Sequence, residues 1–253
     1  MGKINMSTVR QAQLIMLDIL IEVDRACKKH KIEYWLDFGT LLGSVREKGF
    51  ISWDDDLDIA MTLEDYHKFC SLIDTELPKD MFLQTNSTDK SFPYSYAKIR
   101  SSRGKIVEKH EENKNIIYNQ GIFIDIFPII AIRKNILYKY LYRVNFLIVK
   151  LFSYKYLHIQ NLSNFYIKVS DLLHIGWGNK KSKVIRSARM PSYKLYIDTA
   201  NVFPLKKLMF ENKEFFVPNN YHEYLKILYG ENYMQLPPEN KRHTHASSLE
   251  IYE

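Results

Sequence analysis

Four aspartates fall within five positions of the stretch SWDDDLDIAM, at Asp54, Asp55, Asp56 and Asp58, and the chain turns apolar immediately afterwards. Carboxylates this close repel one another unless a cation is held between them. Any fold for this chain must therefore set a charged cluster against a buried strand. Side chains alternate faces along a strand, so an extended Asp56-Leu57-Asp58-Ile59 puts Asp56 and Asp58 on one side while Leu57 and Ile59 pack inward. Asp54 shares the parity of that pair, and Asp55 does not. The pattern suits a hard, oxygen-seeking cation such as Mg2+, with Mn2+ as its substitute. A calcium loop is the sharper rival, because Asp54, Asp56 and Asp58 match its one-three-five spacing. It fails where that loop needs glycine and this chain has Ile59, and again at the twelfth position, where Asp65 replaces glutamate. A solvated acidic turn is the other alternative.

Two further features fit a site rather than a turn. Gly39 and Thr40 in DFGTLLGSVR stand at a strand-to-helix junction, where bare amides and a glycine make a phosphate cradle. Asp125 lies inside the apolar run GIFIDIFP, where a carboxylate is costly unless paired or metal-bound, so it is a candidate third ligand or the partner of a Lys or Arg.

The remaining pattern is α+β. Apolar positions including Leu14, Leu17 and Ile21 predict a helix through TVRQAQLIMLDILIEVDRACKKH, capped by Ser7 or Thr8. IEYWLDF, LDIAM, MFLQT, YSYAKIR, GKIVEKH and GIFIDIFP read as strands, with SSRG as a hairpin turn and Pro128 as the stop of the last. A short helix ends at Gly49, and LEDYHKFCSLIDTEL is a helix that stops before Pro78. Two or three helices are expected from about Asn135 to Arg189. A hairpin follows with its turn near Glu211–Lys213, then a helix NYHEYLKILYG closed by Gly230. The layout is a mixed sheet with helices plus a helical insertion.

Charge is unevenly spread. The net charge is +7, yet Ile126 to Ile197 holds 13 Lys or Arg against a single acid, Asp171, and so carries +12, leaving −5 on the remainder. Within the insertion Leu137, Leu141, Val144, Ile148 and Leu151 form an apolar stripe beside Lys139, Arg143 and Lys150. This is either a core helix with a solvated basic face or, over 135–157, a peripheral contact with a membrane surface or a lipid-linked anionic glycan. Basic and aromatic residues interleave, but no nucleic-acid motif accompanies them, so no nucleic-acid partner is expected. Ile136 to Leu157 is too often interrupted by Lys and Arg to span a membrane. No apolar signal segment opens the chain, and Cys27 and Cys70 lack metal or disulfide spacing, so a cytoplasmic protein is expected, with any membrane contact at the inner face.

A Gly-Thr junction, an Asp-x-Asp strand and a third strand Asp in this order resemble the nucleotidyltransferase superfamily. More specifically, GTLLGSVREKGFISWDDDLDIAM is similar to the signature of the LicD family, phosphotransferases of bacterial surface polysaccharides that share a domain with fukutin-related proteins. YAKIR, GIFIDIFP and YGENYMQLPPENKRHTH resemble later blocks of that family in the right order, so the likeness runs over nearly the whole chain. It departs at Ser52, where the family usually has proline, and Ser102 to Asn119 and the insertion match no block. The resemblance implies one catalytic domain over 1–253: a nucleotidyltransferase-like core at 1–132, a basic aromatic helical insertion at 133–196, and a C-terminal hairpin, helix and tail at 197–253.

What the resemblance implies for chemistry is Mg2+-dependent transfer of a phospho-alcohol from a CDP-linked donor such as CDP-choline to a sugar hydroxyl of a teichoic acid, lipopolysaccharide or capsule, releasing CMP. Asp56, Asp58 and Asp125 would hold the metal, and Asp54 would orient the acceptor hydroxyl or bind a second ion. Gly39, Thr40, Arg46, Lys98 and Arg100 would contact donor phosphates, the last two from one face of the YAKIR strand. His245 matches a histidine of the family tail. Among nearby aromatics, Tyr34, Trp35 and Phe92 included, Trp53, Tyr94 and Tyr96 are the candidates for a choline pocket, since a quaternary ammonium is recognised by aromatic faces. The alternatives are a ribitol- or glycerol-phosphate transferase, a nucleotidyltransferase releasing pyrophosphate, and a non-catalytic glycan- or membrane-binding module.

Overall fold

A computed structural model describes residues 5–94, 96–133, 140, 183–187, 196–242 and 244–252. It is a mixed α+β structure built on an eight-stranded sheet. The strands are β1 (Tyr34–Leu36), β2 (Asp58–Thr62), β3 (Met81–Gln84), β4 (Ala97–Glu108), β5 (Gly121–Arg133), β6 (Lys183–Ser187), β7 (Ile197–Asp198) and β10 (Ala246–Ile251), while β8 (Lys206–Phe210) and β9 (Lys213–Val217) form a separate hairpin. The main order is β1-β2-β5-β4-β10; β3 adds to the first half of β4, and β6 and β7 extend from the second half of β5. The pair β2–β5 is parallel and every other pairing is antiparallel. The sheet thus draws β6, β7 and β10 from beyond residue 132.

Helix α1 (Met6–His30) packs across β4, β5 and β10. Its cap is Asn5, whose side chain accepts the Ser7 N–H, in place of the expected Ser7 or Thr8. Its buried face runs through Val9, Ala12, Met16, Ile19, Leu20 and Val23 at helical spacing, whereas Leu14 is exposed. Helix α2 (Phe38–Arg46) follows β1 directly, with Asp37 as its cap, and α3 (Leu63–Leu72) follows β2, capped by Thr62. A four-residue turn, α4 (Thr199–Val202), and helix α5 (Tyr221–Tyr229) follow among the described residues, and α5 ends at Gly230 with φ 89°.

The structure corrects three readings. SSRG is not a hairpin turn: β4 is continuous, and its register against β5 shifts between Ser101 and Lys105. The two halves of β4 serve different neighbours, β3 before the bulge and β10 after it. Pro128 does not stop β5. Because the Asp125 N–H bonds Leu57 O, just ahead of β2, alternation turns Pro128 toward the opposite edge, where pairing with β4 ends at Ile126 and pairing with β6 begins at Ile129. A residue without an N–H fits that gap. The stretch expected to be helical to Arg189 contains β6, a strand. The apolar stripe and basic face expected over 135–157 lie outside the described residues, Tyr140 excepted. Among the described residues no helix is long and apolar enough to cross a membrane.

Candidate active site

A row of three side chains crosses the middle of the sheet. Asp58 on β2 stands in register with Asp125 on β5, and Asp125 with Lys98 on β4. In-register neighbours project from one face, so two carboxylates and an ammonium lie side by side. Ile59, Met61, Ile99, Ile124 and Ile126 take the opposite parity and join the core. Lys98 is fully buried, with Nζ 2.8 Å from Asp125 Oδ1, 3.5 Å from Glu108 Oε2 and 3.1 Å from the centre of the Phe123 ring. Burial lowers its pKa, opposed by the charges of Asp125 and Glu108. Arg100 shares that strand face but turns away: it donates to Gln84 Oε1 at 2.7 Å and to Gly121 O at 2.6 Å and does not line the cavity.

The remaining aspartates sit in a loop ahead of β2, not in the strand, and two contacts shape that loop. Gln13, buried on α1, donates to Ile51 O at 3.1 Å and Asp54 O at 2.8 Å. Asp55 faces the tail, where its buried carboxylate accepts the N–H of His245 at 2.7 Å and of Ala246 at 2.6 Å. Asp54 and Asp56 are left facing the cavity. Gly39 makes room for this: a Cβ there would lie 2.6 Å from Asp54 Oδ2. Thr40 is buried, and its hydroxyl accepts the Asp58 N–H at 2.8 Å, fixing the start of β2 rather than lining the cavity.

His245 closes the cluster. Its Nδ1 lies 2.9 Å from Asp56 Oδ2 and 3.7 Å from Asp55 Oδ1, and Asp54, Asp56 and His245 each present a ligand atom within 4.8 Å of the others. The hydrogen bond to Asp56, with the surrounding carboxylate charge, pushes the imidazole up to about 9. Burial and the charges of Asp56 and Asp55 raise Asp54 well above the usual carboxylate range. Burial works the same way on Asp56, but its bond to His245 and the histidine's charge outweigh it, so Asp56 stays below the ordinary value.

These groups line a cavity of about 600 Å³. One wall is the face of α2 carrying Phe38, Leu42 and Arg46, spaced four apart; the floor is Asp54, Asp56, Asp58, Asp125 and Glu108; the far wall comes from Tyr229 to Pro237 and His245. Arg46 lines the cavity while bonded to Glu47 at 2.8 Å. Trp53 lines it too, with the Arg242 guanidinium 4.7 Å from its ring. Tyr94 and Tyr96 do not: both meet Phe92 edge to face, Tyr96 also packs on Phe127 and lies under Lys98 Nζ, and Tyr94 bonds His110. Tyr34 and Trp35 are buried and bonded to Asp24 and Tyr224.

The sequence reading passed over Asp55, Glu108, Tyr229 and Tyr233. Alternation sets Asp55 apart from its neighbours, but in this loop it is the N–H groups of His245 and Ala246 that hold it toward the tail. Glu108 lies beyond the bulge, where alternation cannot be counted through.

Residues 31–158 match the model of the LicD/FKTN/FKRP nucleotidyltransferase domain. The chain is 29% identical over 262 residues to the lipopolysaccharide cholinephosphotransferase LicD of Haemophilus influenzae, covering 94% of this chain and 96% of that protein. A Rickettsia prowazekii protein of unassigned function is 31% identical over 115 residues, 46% of this chain and 41% of its own length. With the family match spanning half of its length, this chain belongs to the LicD/FKTN/FKRP family and carries that family's nucleotidyltransferase domain.

Proposed function

We propose that this protein transfers phosphocholine from CDP-choline to a sugar hydroxyl of a lipopolysaccharide or related surface glycan, releasing CMP, with Mg2+ or Mn2+ as cofactor. The observation that carries the reading is the meeting of Asp54, Asp56 and His245 beside the Asp58–Asp125 pair in one cavity. The name of the Haemophilus influenzae relative supports choline and lipopolysaccharide. The donor set fits a divalent cation: five carboxylates crowd the cavity floor, and burial with mutual charge already drives the proton affinity of Asp54 up. Asp56, Asp58 and Asp125 would hold the ion, which when bound neutralises charge on the donor pyrophosphate.

The chain's own residues then position the reactants, which is most of phosphoryl-transfer catalysis. The glycan hydroxyl forms a bond to the phosphorus that bears choline, the bond from that phosphorus to the CMP oxygen breaks, and the hydroxyl proton passes to Asp54. Lys98 holds Asp125 in place from beneath. Arg46 and the first-turn amides of α2 face the donor phosphates. For the alcohol, the cavity wall offers the aromatics Phe38, Trp53, Tyr229 and Tyr233. Rings beside carboxylates suit a fixed positive charge that donates no hydrogen bonds, whereas a polyol would require hydroxyl partners.

The test is a CMP-release assay with Mg2+ or Mn2+ and a lipopolysaccharide acceptor, competing CDP-choline against CDP-ribitol and CDP-glycerol. Release from CDP-choline, abolished in folded Asp56→Asn and Asp58→Asn proteins, is expected. Preference for a polyol donor would overturn the choline assignment, and pyrophosphate release from CTP would overturn the transferase reading.

A further inference from the structure

We propose that Asp55 is a positioning residue: its buried carboxylate fastens the entry of β10 to the aspartate loop and thereby aims His245 at Asp56. The side chain of Asp55 is fully buried, and a buried carboxylate is stable only where hydrogen bonds replace water. Both of its oxygens are used, on the N–H groups of His245 and Ala246 at 2.7 and 2.6 Å. The acceptors of the same segment are held from the other side, His245 O by the Lys109 N–H at 2.8 Å and Thr244 O by Lys109 Nζ at 2.5 Å. The ladder gives weak help here, because among the described strands β10 pairs with β4 alone and its register on β4 shifts between Ala246 and Ser248.

His245 has little else to orient it. Its side chain is 60% exposed, and among the described residues its ion-pair partners are Asp55 and Asp56. The direction of the imidazole therefore follows from its backbone, and Asp55 is the group that bonds that backbone N–H. One member of the aspartate run faces out and grips the tail while Asp54 and Asp56 face in. The sequence thus joins loop and tail through adjacent residues, with no freedom between the anchor and the site it serves.

Asp55→Asn keeps the shape but turns an amide NH2 toward a backbone N–H, so one bond is lost and two donors face each other. Ala246→Pro removes one of the two donors while leaving the carboxylate, at the first residue of a strand, where proline is tolerated. Hydrogen exchange on the full-length protein should show loss of protection over 244–251 in both variants, with β2 and β5 unchanged. In the CMP-release assay, which rests on the proposed donor, Asp55→Asn and His245→Ala should each lower kcat at least tenfold. The double variant should be no slower than His245→Ala alone, because a group acting through another adds nothing once that other is gone. Unchanged exchange over 244–251 would overturn the proposal, as would a double variant whose loss is the product of the two single losses. If wild-type protein releases no CMP from CDP-choline, the proposed function fails, and the exchange experiment still decides the role of Asp55.

Discussion

Replacing Lys98 by methionine deletes a charge while keeping an unbranched chain of similar length. In the native protein Lys98 Nζ stands 2.8 Å from Asp125 and 3.5 Å from Glu108, and Asp125 is only 5% exposed. Removing one partner of a buried pair strands the other, a loss of about 3–5 kcal/mol. The second carboxylate holds the expectation in that range, since two acids would share the uncompensated site. Urea unfolding followed by tryptophan fluorescence at neutral pH in EDTA should show the midpoint falling with the slope unchanged. With a slope of about 2–3 kcal/mol/M, the shift is about 1–2.5 M. Adding Mg2+ or Mn2+ should stabilise Lys98→Met more than wild type, because the cation then supplies the missing positive charge opposite Asp125. Combining Lys98→Met with Asp125→Asn should recover much of the loss, since the nearer carboxylate is then neutral and Glu108 alone stays charged. A loss under about 1 kcal/mol, or a double variant as unstable as Lys98→Met, would refute the reasoning.

Asp37, buried at the cap of α2 and bonded to Phe38 N and the Tyr224 hydroxyl, is pushed up to about 6 by burial. The native state thus binds a proton more tightly than the unfolded chain, so this group lowers stability as pH rises from about 4 to about 6 and leaves it level above, by about 3 kcal/mol in all. Asp37→Asn should flatten that part of the stability profile in denaturant titrations, and an unchanged slope would count against the assignment. Tyr229→Leu and Tyr233→Leu should raise KM for CDP-choline several-fold, about 0.5–2 kcal/mol per ring, while leaving KM for CDP-ribitol unmoved; equal effects on both donors would remove these rings from the alcohol site. Gly39→Ala, whose Cβ would meet Asp54 Oδ2 at 2.6 Å, should cut CMP release at least tenfold with little change in Tm, and full activity would show that Asp54 moves freely.

What the sequence displayed was local periodicity and local punctuation. Alternation in Asp58–Thr62 and around Asp125 located two strands and the face of their carboxylates, and Gly230 and the turn at Glu211 and Asn212, with φ 49° and 63°, marked real boundaries. Partner choice was not displayed. Pro128 continues β5 because two strands share one of its edges, and SSRG is a bulge because β4 changes neighbours there; neither fact resides in those residues. The site divides in the same way. Asp54, Asp56, Asp58, Asp125 and His245 were found from pattern and resemblance, and the structure brings them to one cavity. Tyr94 and Tyr96 were nominated by closeness in sequence to Lys98, but they pack beside the sheet, and the aromatic wall is supplied by Tyr229 and Tyr233 from far along the chain.

The parallel pairing of β2 with β5 also bears on how the chain avoids misfolding. Both strands are apolar where they meet and would pair almost as well one residue out of step, and a slip of one residue moves every side chain to the other face. Here such a slip would drive Asp58 among Ile99, Ile124 and Ile126 and set Ile59 beside Asp125 and Lys98. An unpaired carboxylate in that apolar layer costs several kcal/mol, more than the ladder could return. The aspartates read as a chemical site are therefore also the register key of the sheet. Neutralising them should cost folding fidelity as well as turnover, as slower refolding and a larger aggregated fraction even where the purified native protein is no less stable.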